Sequence, residues 1–226
     1  MRSAVRQGAS VALATGLYGI SFGALSVVAG VSVPQTMALS LLLFSGGSQF
    51  ALIGVVAAGG SPVAAVATST LLGARNTLYG AVVAPLLGVR GWRRLAAAQL
   101  TIDESTAVAV GQREPAATRA GFWVTGIGVF VLWNAFTLLG ALAGDALGDP
   151  RAWGLDAAAG AAFLALVWPR LAARRAQVVA ALAVAVTAAL IPVAPAGIPV
   201  LAAAAVAIAV GVLATPRTPS ERAEGA

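Results

Sequence analysis

Neither cysteine nor histidine occurs anywhere in the 226 residues. That removes disulfides, thiol nucleophiles, imidazole acid–base chemistry and zinc sites built on Cys or His. Any proton handling falls to carboxylates, of which there are eight. Lysine is missing too, since all fourteen basic residues are arginine. The phosphate loop Gly-x-x-x-x-Gly-Lys-Ser/Thr therefore cannot be completed, and ATP is not a direct driver within this chain. Charge as a whole is scarce, at 10% of residues against roughly a quarter in an ordinary soluble domain. In a soluble protein the net charge of +6 would point to nucleic acid, but no basic run here is interleaved with aromatics, and the arginines fall between apolar stretches. No nucleic-acid partner, resident metal or cofactor is expected.

What fills the chain is apolar: 59% of it is hydrophobic, with a mean hydropathy of +0.91. A chain in water has no means of hiding that much apolar surface, so the expected solvent is the lipid bilayer. A spanning helix needs about 20 mostly apolar residues. Such windows lie near Ala9 to Val31, Gln35 to Ala58, Pro62 to Leu87, Ala120 to Gly144, Leu155 to Pro169, Gln177 to Pro192 and Gly197 to Ala214. Arg2 and Arg6 precede the first window, which is too long for a secretory signal and is followed by many more, so it reads as a membrane segment. The fold class is all-α, a polytopic membrane helix bundle of about seven apolar segments that includes broken or re-entrant helices. Residues 1–215 form the transmembrane domain, and residues 216–226 read as a disordered cytoplasmic tail.

Arginines collect on the cytoplasmic side of membrane proteins. Here they cluster at Arg90, Arg93 and Arg94, at Arg113 and Arg119, at Arg170, Arg174 and Arg175, and at Arg217 and Arg222, while Arg151 stands apart beside Asp145 and Asp149. If these clusters and the N-terminus are all cytoplasmic, the shorter stretch Leu95 to Gly111 must enter and leave on one side. By the same parity, one of the first three segments must be re-entrant or broken. Non-helical backbone at membrane depth is tolerated only where protein or a watery cavity covers it, so the parity points to an internal site.

Three polar interruptions mark that site. In Phe44-Ser45-Gly46-Gly47-Ser48-Gln49-Phe50, two glycines weaken the helix and Ser48 and Gln49 place polar groups beside them. The glycines alone are compatible with close helix packing; with the Ser-Gln pair they read as a broken helix whose freed amides receive a carboxylate. The next segment carries Gly73-Ala74-Arg75-Asn76 at its middle. A charge at the bilayer centre costs about 2.5 to 3.5 kcal/mol on the most lenient scale, so Arg75 should face inward and have a partner, either a structural carboxylate or a substrate. Thr101-Ile102-Asp103-Glu104-Ser105-Thr106 sets two carboxylates side by side. On a helix they point about 100° apart, so one is able to pair with Arg75 while the other binds a cation or proton; an ordinary exposed loop is the alternative. Asp156 and Asn134 are weaker candidates, the first as a helix-dipole partner and the second as a hydrogen-bonding group between helices.

Taken together, these residues resemble the AzlC family, the large subunit of bacterial branched-chain amino acid exporters. The likeness rests on Gly19-Ile20-Ser21-Phe22-Gly23-Ala24-Leu25, Phe44 to Phe50, Ala74-Arg75-Asn76-Thr77-Leu78-Tyr79-Gly80, Thr101-Ile102-Asp103-Glu104, and Gly154-Leu155-Asp156 followed by Phe163-Leu164-Ala165-Leu166 and Pro169. The resemblance implies a non-enzymatic multi-pass protein of the bacterial inner membrane that exports valine, leucine, isoleucine or similar neutral amino acids. It also implies a small membrane partner of the AzlD type. In such proteins a His commonly follows the Arg of the third segment, and here Asn76 stands there. The expected substrate-binding residues are Ser45, Gly46, Gly47, Ser48, Gln49, Arg75 and Asn76, with Asp103 and Glu104 for the ammonium or the coupling proton. A transporter of another small solute, an intramembrane enzyme limited to Ser or carboxylate chemistry, and a non-transporting structural subunit are the other classes open to this sequence.

Overall fold

A computed structural model describes residues 1–147, 164, 167–195 and 197–213, and every element among them is helical. Arg151, Trp153, Asp156, most of the Leu155 to Pro169 segment and the tail from Pro216 lie outside the described residues. The chain divides into two compact units, Met1–Leu164 and Ala165–Ala226.

The spine of the first unit is a pair of helices, α1 (Arg2–Val28) and α7 (Pro115–Leu147). Among the described residues, Arg2–Val28 and Pro115–Ala146 are both long and apolar enough to cross a membrane. Glycine sets their contact: Gly8 lies against Thr125, Gly16 against Leu132, Gly19 against Trp133, and Gly23 against Thr137 and Ala141. The numbers rise together, so α1 and α7 are parallel. A Cβ on Gly23 or Gly140 would overlap the opposing backbone, which is the close approach that small residues permit in helices lacking a hydrophobic drive to associate. At one end of the pair, Gln112 Nε2 donates to Gln7 Oε1 at 3.0 Å. Arg2 and Arg6 therefore share an end with Arg113 and Arg119.

Between two parallel helices the chain must come back once, and α4 (Pro62–Leu87) makes the return. It starts where Ser61 Oγ accepts the N–H of Ala64 at 3.2 Å ahead of Pro62, and stops at Gly88, which adopts φ 61°. Arg119 Nη2 comes within 3.9 Å of a Cβ built on Gly88, so α4 ends at the basic end of the spine. Its length suffices for a span, and Arg75 and Asn76 interrupt its apolar run at the middle.

The remaining elements are half-helices arranged as two hairpins. α2 (Val33–Leu42) descends α7 from the far end, with Ser40 Oγ donating to Thr137 Oγ1 at 3.3 Å; α3 (Gly46–Ala57) starts against Trp133, whose Cη2 lies 3.2 Å from a Cβ built on Gly46. α3 then climbs back beside α4, and Ser69 Oγ donates to Ser48 O at 3.0 Å. α5 (Trp92–Gln99) and α6 (Asp103–Val110) enter from the basic end instead. Leu100 packs on Gly126 and Val108 on Gly121, so this hairpin turns at mid-depth and returns toward Gln112. At 1.5 Å per residue, helices of eight to twelve residues reach about 12–18 Å, roughly half of a 30 Å hydrocarbon core. Gln35 to Ala58 is thus a broken hairpin, and Leu95 to Gly111 enters and leaves at one end.

The two halves of the unit mirror each other in sense. α1 with hairpin α2–α3, and α4 with hairpin α5–α6, are each a long helix followed by a hairpin that re-enters from the end just reached, and the long helices run oppositely. Leu17-Tyr18-Gly19 and Leu78-Tyr79-Gly80 fall near the same point of the two long helices.

Polar side chains share the interior with the apolar core, and large apolar side chains lie outside. Ser26, Thr36, Ser40, Ser48, Gln49, Thr68, Ser105, Thr125 and Thr137 are 0% exposed, while Leu42 is 79%, Val63 78% and Leu78 69% exposed. Outward apolar side chains over an inward polar seam suit lipid as solvent. Phe22, Phe50 and Trp133 fill the centre, with ring centroids 5.7 to 6.3 Å apart.

In the second unit, a 3-10 turn (Trp168–Ala172) leads into helix Arg174–Leu190, which packs on helix Ile198–Leu213. Gln177 Nε2 donates to Leu171 O at 2.8 Å at the start of the first of these helices.

Candidate functional site

The tips of the opposed hairpins meet at mid-depth, and amide side chains close the break between α2 and α3. The last carbonyls of a helix have no donor within it, and lipid offers none. Gln49 Nε2 donates to Leu39 O at 3.1 Å and reaches Ser40 O at 3.5 Å. Gln99, from the tip of the other hairpin, donates to Leu41 O at 2.9 Å. One hairpin thus caps the other.

On the α3 side, Ser45 is extended at φ −159°, and its hydroxyl pairs with that of Ser48 at 3.1 Å. The amides of Gly46, Gly47 and Ser48 open the helix and have no acceptor inside it. This positive end has no acidic residue in its first turn. α6 differs: Asp103 and Glu104 occupy its first turn, and Ser105 Oγ accepts the N–H of Ile102 at 3.1 Å.

Arg75 lies between the two helix ends. Its Nη1 is 3.1 Å from Asp103 Oδ2, and the two side chains are 27% and 20% exposed. Its Nη2 rests on Gly47, where a Cβ would come within 2.8 Å, and its buried Nε has no acceptor among the described residues. Gly47 is therefore required for the guanidinium's position. Gly73, two residues earlier on α4, sits 3.2 Å from Ser48 Oγ by the same measure. Arg75 thus presents one edge to a carboxylate and the other to a helix N-terminus, and the guanidinium and the helix end both suit an anion bound beside them.

Of the residues singled out in the sequence, Ser45 to Gln49, Arg75 and Asp103 come together here. Asn76 is half-buried, and its Oδ1 is buried without a donor among the described residues. Glu104 is half-buried and, next to Asp103 on α6, faces about 100° away. Asn134 does not bridge helices by its amide: Nδ2 donates to Phe130 O of its own helix at 2.7 Å, and Oδ1 is buried without a donor among the described residues. Sequence reasoning missed Gln99 and Ser69, although an isolated amide flanked by Ala98 and Leu100 was the available signal for the first. It also missed Trp133, whose ring walls the break.

A protein of Archaeoglobus fulgidus, described as an uncharacterized membrane protein, is 35% identical over 127 residues, 56% of this chain. The matching stretch spans 55% of that relative, about half its length. No solved structure matches this chain. The family model described as AzlC protein matches residues 10–147, which carry most of α1, all of α2 to α7 and the whole charged centre. This chain belongs to the AzlC family.

Proposed function

We propose that this chain is the large subunit of a two-component secondary transporter that exports branched-chain or related neutral amino acids across the bacterial inner membrane, coupled to an ion gradient. Membership of a family of transporter components supports the general role. Two hairpins of opposite sense with their tips at mid-depth support it further, since inverted halves with discontinuous helices are how many secondary transporters build a central site. The single observation that carries the substrate assignment is Arg75, held between the α3 N-terminus and Asp103.

A zwitterion in a dry site needs a partner for each charge, because an unpaired one costs several kcal/mol. In this reading the substrate carboxylate lies against Arg75 and the amides of Gly46, Gly47 and Ser48, with Asn76 alongside. The ammonium is taken by Asp103 or Glu104. Asp103 and the substrate carboxylate then compete for one guanidinium, and a carboxylate bound at Arg75 frees Asp103 to face the ammonium. The basic end of the spine is the cytoplasmic end.

The test is export of leucine and valine from cells overloaded with the corresponding dipeptides, expressing this chain with a small AzlD-type subunit. Arg75→Met should reduce export to the vector background while the protein still inserts. Undiminished export would remove Arg75 from the substrate site. The chain expressed alone should insert without exporting, and full export by the purified chain reconstituted by itself would overturn the two-subunit reading.

A further inference from the structure

A cleft of about 500 Å³ lies at the basic end, between the last turns of α4 and helix α5. Its floor is apolar, formed by Val83, Leu87 and Ala97, all buried. Its mouth carries Arg90 and Arg94, and Arg119 of α7 lies beside Gly88 at its edge. Among the described residues no carboxylate is paired with any of these three arginines. Ala84, on its wall, lies nine residues beyond Arg75, two and a half turns, and so faces away from it on α4, while Thr101 carries the lining to the hairpin tip.

We propose that this cleft binds one anionic phospholipid, its phosphate held by Arg90 and Arg94 with Arg119 nearby, and an acyl chain along Val83 and Leu87. The combination of an apolar trough and a guanidinium mouth matches an amphiphile with a negative head and no other common membrane component. The outer face of α5 fits the same level of the bilayer. Trp92 and Leu95 are 73% and 75% exposed, and Arg93 lies over the Trp92 ring at 5.8 Å. An exposed tryptophan beside arginines is the composition of the headgroup region. Because α5 leads directly into the hairpin tip that carries Gln99 and Asp103, a lipid seated there bears on the element that closes the central site.

The full chain, purified and delipidated in a mild detergent, is titrated with dioleoyl phosphatidylglycerol and, separately, with dioleoyl phosphatidylcholine, and bound lipid is counted by native mass spectrometry. One phosphatidylglycerol should be retained, at least tenfold more tightly than phosphatidylcholine. Arg90→Gln with Arg94→Gln should weaken it by roughly tenfold or more. Arg2→Gln with Arg6→Gln removes the same charge from the same end outside the cleft and should leave it unchanged. Ala84→Trp fills the trough without touching charge and should also abolish retention. Equal retention of the two lipids, equal loss in the Arg2 and Arg6 variant, or retention in Ala84→Trp would overturn the proposal. Displacement of the lipid by inorganic phosphate at equal concentration would make the cleft a free-phosphate site and overturn it as well.

Discussion

Arg75 sits 3.1 Å from Asp103 at partial burial, and the energetics of that pair decide what substitutions there do. Removing one partner leaves a charge short of its counter-charge. The loss is about 3 to 5 kcal/mol for a fully buried pair and smaller for one that is a quarter exposed, so about 1 to 3 kcal/mol is expected for Arg75→Met or for Asp103→Asn. The double substitution should cost less than the sum of the two, and strictly additive thermal losses would deny the coupling. Gly47→Ala tests the same centre without changing charge. Its Cβ would stand 2.8 Å from Arg75 Nη2, so the guanidinium must swing away from the α3 N-terminus. Export should fall at least tenfold with little change in thermal midpoint, since the far end of a flexible side chain is able to move. Unchanged export by Gly47→Ala would show that the contact between guanidinium and helix end is not used.

At the scale of elements, two kinds of contact hold the unit together. The first is backbone proximity of α1 and α7. Gly23→Ala or Gly140→Ala introduces a methyl where the opposing backbone already is, and no rotamer relieves it, so a loss of about 3 kcal/mol or failure to assemble is expected. Gly54→Ala is the matched control, because nothing lies within 4 Å of its Cβ position; it should be neutral or slightly stabilising in the same thermal-melt assay. The second contact is the amide capping of the broken helix. Gln99→Leu strips Leu41 O of its side-chain donor, and with lipid rather than water outside this exposed pair about 1 to 2 kcal/mol should be lost. Equal stability of Gln99→Leu and the parent chain would mean that water reaches the hairpin tips.

For the whole molecule, the parallel register of α1 and α7 fixes which loops share an end. Ser3, Arg93 and Gln112 lie at the basic end, and Val31 and Gly60 at the opposite one. Because the chain has no cysteine, single replacements at these positions can be labelled without background. A membrane-impermeant maleimide applied to intact cells should reach Val31→Cys and Gly60→Cys and spare Ser3→Cys, Arg93→Cys and Gln112→Cys. Labelling of 93 without 112 would show that α5 and α6 cross rather than return.

Some of this was written in the residues themselves. Hydropathy follows directly from composition, so a helical protein with lipid as its solvent is legible without coordinates. The break at Ser45 to Gln49, the inward charge of Arg75 and the polar run at Asp103 are local conflicts between residue type and apolar surroundings, and local conflicts can be read from a single stretch. Counting arginine clusters also implied hairpins on the premise that every cluster lies on one side, because parity is a property of order along the chain. Which segments they were depended on length at depth. Gln35 to Ala58 is long enough to span, and only the contacts of Ser40 and Gly46 with α7 reveal that it descends and climbs back. Choosing Asp103 over Glu104 for Arg75 depended on the facing of α6, and neighbouring carboxylates 100° apart are equivalent until a third helix is placed against them. The parallel spine, Gln99 capping a helix 58 residues away and Gly47 making room for a guanidinium are likewise relations between distant residues. The sequence supplied the groups that cannot be left alone in lipid; tertiary packing alone decided which of them satisfy one another, because in a bilayer any buried donor, acceptor or charge is stable only beside the partner the fold delivers to it.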